Sequence, residues 1–516
     1  MDNNLTSPAT VVNASNVLDI IRELRTDAVR HQQLLEQVTV FLQQSDLPLQ
    51  DTAQLVWSPE DSAIDFSRLP NKVHQIEKQQ DKSPDIAARL KATGLGRFYI
   101  THLKQYPSVR RLIAWTWRNF YPIYVNYVAI HLRKRNAKRW RQLITLREFV
   151  KTNQITIIQV TDTAQVETPA PEVFPASDQG YLISPHDRYS SPHIYVATIK
   201  DGMIYGGTNL ILKNDEVICH DLYDFERDYT SEETHGRNLI DPGKSRIRWL
   251  LHDDSPAHLP AAAAFVDACA PNYAHWLTEV LPRIVAFCSE EQFKGIPIVV
   301  NDGLHKNILE SLFLVAGEGR EIVTLPIGRA LQVDALYLTS VAGYVPFERR
   351  NNKFSDHSHG VFSPWALESL RKKVFSFAEK LPEQTWPEKI YLRRNSGIRK
   401  ITNATELEEL LIAQNYVIVE PEKLTFLQQV QLFSRAKVII GSSGAALASM
   451  IFARPNARML ILIGKYPDTS YWYWQNIACA SGLTVLYGLG APVDGAASGI
   501  HSDFYFNTDF LPDLEN

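Results

Sequence analysis

Between about residue 260 and residue 490 the chain alternates between short apolar runs rich in β-branched residues and stretches whose apolar residues recur at helical spacing. Continuous apolar runs bounded by turn residues suit strands buried on both faces, and the helices between them suit the crossovers that parallel strands require. The first series reads IPIVV, HKNILESLFLVAG, EIVTL, DALYLTS. Beyond a polar link at 348–360, which holds His357 and His359, come a helix at about 364–380 and then KIYLRR, ATELEELLIAQ, YVIVEPE, TFLQQVQLFSRA, KVIIG, RMLILIG and LTVLYGL. The pattern predicts an α/β protein with two Rossmann-like units facing a cleft, one over 260–345 and one over 360–490.

The remainder of the 516 residues extends this to three regions. Residues 1–150 are expected to be mainly helical: Val17, Ile20, Ile21 and Leu24 share one face, and Pro48, Pro59, Pro70 and Pro84 punctuate a linker. Residues 151–350 hold the first Rossmann-like unit, preceded by a Thr/Pro/Ser-rich link to about 190 and by β patterns (HIYVATI, MIYGGTNLILKNDEVICHD) with Asn214-Asp215 at a hairpin turn. Residues 351–516 hold the second.

A net charge of -4 gives no overall pull toward nucleic acid, so any electrostatic targeting is local. The local feature is 97–147, with twelve Lys/Arg and no acid, interleaved with Trp, Tyr and Phe. Two readings stand: peripheral contact with an anionic membrane surface, or a helical subdomain with a solvated basic face. No binding motif accompanies the charge, and nucleic acid is not an expected partner. Pairing of the N-terminal helices would give a homo-oligomer. Cys219, Cys269, Cys288 and Cys479 form no C-x-x-C pair and suit free thiols in a reducing compartment. With no basic–apolar leader and no run long enough to span a bilayer, the expected location is the cytoplasm or the inner membrane face.

In open parallel sheets ligands bind beyond the carboxyl ends of the strands. That rule selects RRNSGIRKITN after Leu392, EPEKL after Val419 and GSSGAAL after Ile440. Arg393, Arg394, Arg399 and Lys400 suit a diphosphate, and Gly441 and Gly444 let backbone approach it at a helix N-terminus. Ser442, Ser443, Gly444 and Ala445 would form this anion cradle, and Glu420 would bind a ribose. The rival reading makes Ser443 a nucleophile on a strained elbow, with Asp468 or Asp494 and His501 completing a hydrolase triad. It leaves the arginines unexplained.

NYAHWLTEVLPR, residues 272–283, carries the other constellation. On a helix His275 and Glu279 are neighbours on one face, with Asn272 and Arg283 a turn to either side and Trp276, Val280 and Ile284 on the adjacent apolar stripe. A carboxylate beside a histidine can fix its tautomer and raise its basicity for general-base work, or simply anchor the helix. Pro282 removes the helix partner of the Thr278 carbonyl, so a kink or end is expected there. No HExxH pattern or third ligand suggests a metal.

These residues together resemble a known family. NYAHWLTEVLPRI is similar to the N-[FY]-x-H-W-x-x-E-x-L-P-R motif of family 61 glycosyltransferases. IYLRRNSGIRKITN resembles that family's R-x4-R-x-I-x-N through Arg394, Arg399 and Asn403. VIVEPEKLTFLQQVQLFSRAKVIIGSSGAAL and HSDFYFNTDFL resemble its later motifs, so the likeness covers roughly 190–511. Many members have His at Ser443, Glu at Ala404 and an acid at Gln428. The resemblance implies a GT-B architecture and an inverting hexosyl- or pentosyltransferase of surface or capsular polysaccharide synthesis. Its substrates would be a nucleotide-sugar donor and a glycan or lipid-linked acceptor, with no cofactor and no metal. His275 and Glu279 would be catalytic, with Asn272, Trp276 and Arg283 supporting the acceptor side. Arg394, Arg399, Asn403, Glu420, Ser442, Ser443, Gly444 and Ala445 would hold the donor. Because Ser443 and Ala404 depart from the pattern, a non-catalytic nucleotide- or glycan-binding subunit of an assembly complex is the alternative.

Overall fold

A computed structural model describes residues 139–514 except 183–186, 224–236, 346–359, 381–384, 397, 467–471 and 494–501, together with 56–57, 73–77, 98, 106, 108–109, 112 and 115–116. Most of the expected helical region, the linker and the basic–aromatic segment lie outside these residues. So do His357, His359, Asp468, Asp494 and His501. The chain divides into two compact parts, Met1–Val56 and Trp57–Asn516, and the second contains both of the sheet-bearing units described below.

In chain order its first elements are β1 (Trp140–Thr145), α1 (Leu146–Thr152), β2 (Ile157–Thr161), β3 (Glu172–Phe174), β4 (Ile194–Tyr205), β5 (Ile211–Lys213), β6 (Glu216–Cys219), β7 (Asn238–Asp241), β8 (Arg246–Trp249) and β9 (Ala257–Ala264). After them come α2 (Tyr273–His275), a π-helical stretch Trp276–Val280, α3 (Leu281–Cys288), β10 (Ile298–Asn301), α4 (Lys306–Ala316), β11 (Ile322–Leu325) and β12 (Ala330–Thr339). The first sheet runs β7-β8-β1-β6-β5-β4-β12-β9-β10-β11 and continues to Val73–Gln75. Within it β12, β9, β10 and β11 are parallel neighbours, so the crossover strands taken in sequence stand in the order 3-2-1-4. That is a Rossmann-like order, and it reverses between β9 and β12. The hairpin at Asn214-Asp215 joins β5 to β6, with Lys213 opposite Glu216 and Asn214 at φ 52°.

The second sheet follows from α5 (Pro364–Ala378), β13 (Lys389–Leu392), α6 (Ala404–Ala413), β14 (Val417–Val419), α7 (Phe426–Arg435), β15 (Val438–Ser442), β16 (Arg458–Gly464), α8 (Trp472–Ala480), β17 (Val485–Pro492) and β18 (Phe504–Tyr505). The path β14-β13-β15-β16-β17 is parallel throughout and β18 closes it antiparallel. Taken in sequence this is the order 2-1-3-4-5, which reverses between β13 and β15. The link at 151–190 is not merely connecting chain: β2 pairs with β4, and β3 pairs with β17 of the other sheet. Edge pairings of this kind depend on partners far away in the sequence, so local composition does not announce them.

A helical layer joins the two sheets. Phe426, Val430 and Phe433 form the buried face of α7 and share one apolar cluster with Trp276, Ile284 and Leu312 of the first unit and Leu370 of α5. Helix α7 begins with a capping box between Thr425 and Gln428, so a glutamine at this position serves the cap as an acid would.

Buried polar contacts cross this layer, from Asn307 Nδ2 to the Leu424 carbonyl (2.8 Å) and through Glu310. The Glu310 side chain on α4 accepts from the amides of Phe426 (2.8 Å) and Leu427 (3.0 Å) in the first turn of α7. Burial outweighs these two bonds and pushes its pKa up to about 7. Glu310→Ala strands two buried donors and is expected to cost about 2–4 kcal/mol of stability in denaturant unfolding. Because the folded-state pKa is raised, this group's contribution is full below the ordinary carboxylate range and is lost as pH rises through about 7. Glu310→Gln should flatten that part of the melting-temperature profile, and an unchanged profile would contradict the assignment.

Candidate active site

The reversal points of both sheets carry the residues that the sequence singled out. At the second, a cleft of about 490 Å3 opens between the units. Pro271, Tyr273, His305 and Asn307 line it from the first unit, and Arg394, Asn395, Glu422, Ser442, Gly444 and Ala445 line it from the second. Its size falls within the usual range for small-molecule sites.

Two arginines give this wall its character. The Arg394 guanidinium lies so close over Gly444 that a Cβ there would stand 1.9 Å from Nη1. A side chain there would displace the guanidinium from its present position. Arg394 donates through Nε to the Ile398 carbonyl (3.1 Å), and Arg399 sits beside it at φ 57° with a buried Nε that meets no acceptor. Among the described residues neither forms an ion pair. Burial, and then repulsion from Arg399, pulls the Arg394 pKa down to about 10, and burial lowers that of Arg399. The Ser442 hydroxyl, also buried and without a partner, points to the same need for a polar ligand. Arg394 lines the cleft without a neutralising partner, and Arg399, which does not itself line it, stands close enough to add positive field, so this wall suits an anion.

The neighbouring serine does something else. Ser443 donates its amide to Leu462 (2.9 Å) and accepts the Trp474 indole N–H on its hydroxyl (3.1 Å), and it does not line the cleft. The elbow reading finds no support in that engaged, buried hydroxyl. The segment after Gly444 is a 3-10 helix, Ala445–Phe452, rather than an α-helix.

Asn403 and Glu420 also have structural partners. Asn403 pairs with the Phe506 backbone in both directions (2.8 and 3.1 Å), fastening the start of α6 to the C-terminal segment. Glu420 takes bonds from Asn395 (3.1 Å), Arg393 (3.5 Å) and Lys423. Burial raises its pKa, but Lys423, Asn395 and Arg393 outweigh burial and hold its carboxyl below the ordinary range. Arg393 is bound by Glu408 as well and is therefore not a free cation. The cleft-lining acid is Glu422, two residues on, bonded to Asn395. Glu420, which the sequence reading assigned to a ribose, does not itself line this cleft.

On the first unit, Asn272 caps α2 by accepting the Ala274 amide (3.0 Å). Helix α2 packs against the 3-10 helix behind Gly444, with Tyr273 Oη 3.3 Å from Ser449 Oγ. The expected disturbance at Pro282 takes the form of a π-bulge, in which the Leu281 amide reaches back to Trp276. Gly343 fits against the Thr278 carbonyl, where a Cβ would come within 2.2 Å of the oxygen. His275 Nδ1 shares a short hydrogen bond with Glu279, and the two side chains are 14% and 13% exposed. Burial pulls the His275 pKa down, but the Glu279 carboxylate, with help from Asp267, more than offsets it and raises the imidazole's affinity for a proton. Trp276 is fully buried and donates to Ser311 (2.8 Å), so it holds α2 on α4 rather than facing a ligand. Arg283 is engaged by Asp267 (3.1 Å).

These features define an α/β protein built on one mixed and one largely parallel sheet, with an anion-binding wall on one unit and a His–Glu dyad on the other. Residues 273–460 match the family described as Glycosyltransferase 61, a span that runs from the dyad through the anion wall. The match agrees with the resemblance read from the motifs over this part of the chain, and it supports a glycosyltransferase. No curated protein matches the chain. Among the described residues no helix is long and apolar enough to cross a membrane.

Proposed function

We propose that the protein is an inverting glycosyltransferase of GT-B architecture that moves a sugar from a nucleotide-sugar donor to a glycan or lipid-linked acceptor in surface or capsular polysaccharide synthesis. The observation that carries this reading is the unneutralised Arg394 beside Gly444 on the cleft wall, with Arg399 near enough to repel it. Arg394 and Arg399 neutralise the donor diphosphate, the Ser442 hydroxyl donates to it, and the amides at Gly444 and Ala445 face it. His275 takes the proton of the acceptor hydroxyl as its oxygen attacks the anomeric carbon. The anomeric C–O bond to the diphosphate breaks in the same displacement, and the arginines hold the charge that develops on the leaving group, so no metal is required. Glu279 fixes the imidazole tautomer and raises its basicity. Contact of the basic–aromatic segment with the inner membrane face would bring the enzyme to lipid-linked acceptors.

A second reading, a non-catalytic binding subunit, is favoured by one observation: Ser443, where many relatives have His, is committed to Trp474. Thermal unfolding with UDP-, GDP- and CMP-sugars, followed by assay of nucleotide release with candidate acceptors, separates the two. The enzyme reading expects one nucleotide class to stabilise the protein and to be released on turnover. Stabilisation with no release across the acceptor panel would favour the binding subunit.

A further inference from the structure

The reversal point of the first sheet, between β9 and β12, encloses a second cavity of about 30 Å3. Asn209, His220, Asp267, Cys269, Glu279 and Arg283 contribute to its walls. We infer that Asp267, held by Arg283, is a positioning residue that sets the protonation of the His275–Glu279 pair. Its catalytic consequence rests on the reading of His275 as the base.

Asp267 is fixed from every side. Its backbone N–H donates to Asn301 Oδ1 (2.9 Å), and its carbonyl accepts from Asn301 Nδ2 (2.8 Å), which ties the loop after β9 to the end of β10. Oδ1 accepts the Cys269 amide (2.9 Å), and Oδ2 accepts Nη2 of Arg283 (3.1 Å). The same guanidinium donates through Nε to the carbonyl of Glu279 (3.1 Å), beside the π-bulge. Arg283 therefore braces the dyad's helix against the loop that carries Asp267.

The charge arrangement explains why such a brace is needed. Asp267 and Glu279 line one small cavity, with Glu279 bonded to the imidazole, and two uncompensated carboxylates there would compete for a proton. Arg283 compensates Asp267 and leaves Glu279 as the direct partner of His275. The field of Asp267 still favours the imidazolium, in accord with the raised pKa of His275. The other groups that face the pair are Cys269 and His220, which line the same cavity, and Tyr473 of α8, whose buried hydroxyl lies beside Thr278. None of these brings a second fixed negative charge.

The test is the titration of His275 in the full-length protein, followed by NMR of 13C-labelled histidine and assigned by loss of the signal in His275→Ala. Asp267→Asn is expected to lower the midpoint by about one pH unit, and Asp267→Glu, which keeps the charge, to leave it near the native value. If Asp267→Asn does not fold, Asp267→Ser removes the charge while keeping an acceptor for the Cys269 amide. A midpoint unmoved by loss of the charge, or lowered equally in Asp267→Glu, overturns the inference and makes Asp267 a loop anchor only. A lowered midpoint with no matching shift in the acidic limb of kcat/KM leaves this inference standing and defeats the assignment of His275 as base.

Discussion

Arg399→Ala is expected to abolish nucleotide-dependent stabilisation while leaving the unliganded protein as stable as before, or more so. The two effects have opposite signs because Arg399 is costly in the empty site. Its guanidinium is desolvated, lies against Arg394, and has no carboxylate to offset it among the described residues. Alanine retains the Cβ at φ 57°, so the backbone penalty at this position is unchanged and the difference reports on the guanidinium. A diphosphate that loses one charge-assisted contact should bind about 10- to 100-fold more weakly, from roughly 1.5–3 kcal/mol per such bond. Turnover should fall further, by about 100- to 1,000-fold, because the leaving group carries more charge in the transition state than in the bound donor. Differential scanning fluorimetry with and without the nucleotide, beside steady-state kinetics, reads all three quantities. A variant that melts lower and binds normally would make Arg399 a structural residue and remove the principal support for the anion site.

His275→Ala should lower kcat by about 100- to 10,000-fold with little change in donor affinity, the range expected for removal of a general base. The pH profile provides the sharper criterion. A base must be unprotonated to act, so kcat/KM should rise with pH through the His275 pKa, which Glu279 holds above the ordinary imidazole value despite burial. Glu279→Gln removes that support and leaves burial, so the acidic limb should move to lower pH while the plateau falls with the weaker base. The opposite result, with Glu279→Gln inactive and His275→Ala retaining most activity, would transfer the base to Glu279. Burial, partly countered by His275, raises that carboxyl above its ordinary range as well.

Both predictions concern residues legible in the linear sequence, and the reason is local. His275 and Glu279 are four apart on one helix, and Arg394 and Arg399 flank one loop, so their proximity needs only the element that carries them. The strands and helices of the second half were legible for the same reason: KVIIG, RMLILIG and the Phe426–Val430–Phe433 face announce period and burial without reference to distant partners. Asn403, Glu420, Ser443 and Trp276 were read as ligand-facing or supportive, yet Phe506, Lys423, Trp474 and Ser311 occupy their polar atoms. Three of those partners lie at least thirty residues away, beyond the reach of any periodic signal. Asp267 escaped notice because a single acid after an alanine-rich strand has no pattern.

The sequence by itself determined that strands and helices alternate between about 260 and 490, that these alternating strands pair in parallel, and which loops gather at their carboxyl ends. Those properties follow from the spacing of apolar residues and from turn chemistry, which act over a few residues. Only the tertiary structure decided the strand orders 3-2-1-4 and 2-1-3-4-5, which set the reversal points beside Asp267 and Ser442. It also decided that Ser442 rather than Ser443 lines the cleft, that Glu310 of one unit caps a helix of the other, and that Arg394 and Arg399 form no ion pair among the described residues. The physical reason is that desolvation and hydrogen-bond satisfaction belong to the assembled surroundings of an atom. Those surroundings exist only once distant segments have packed.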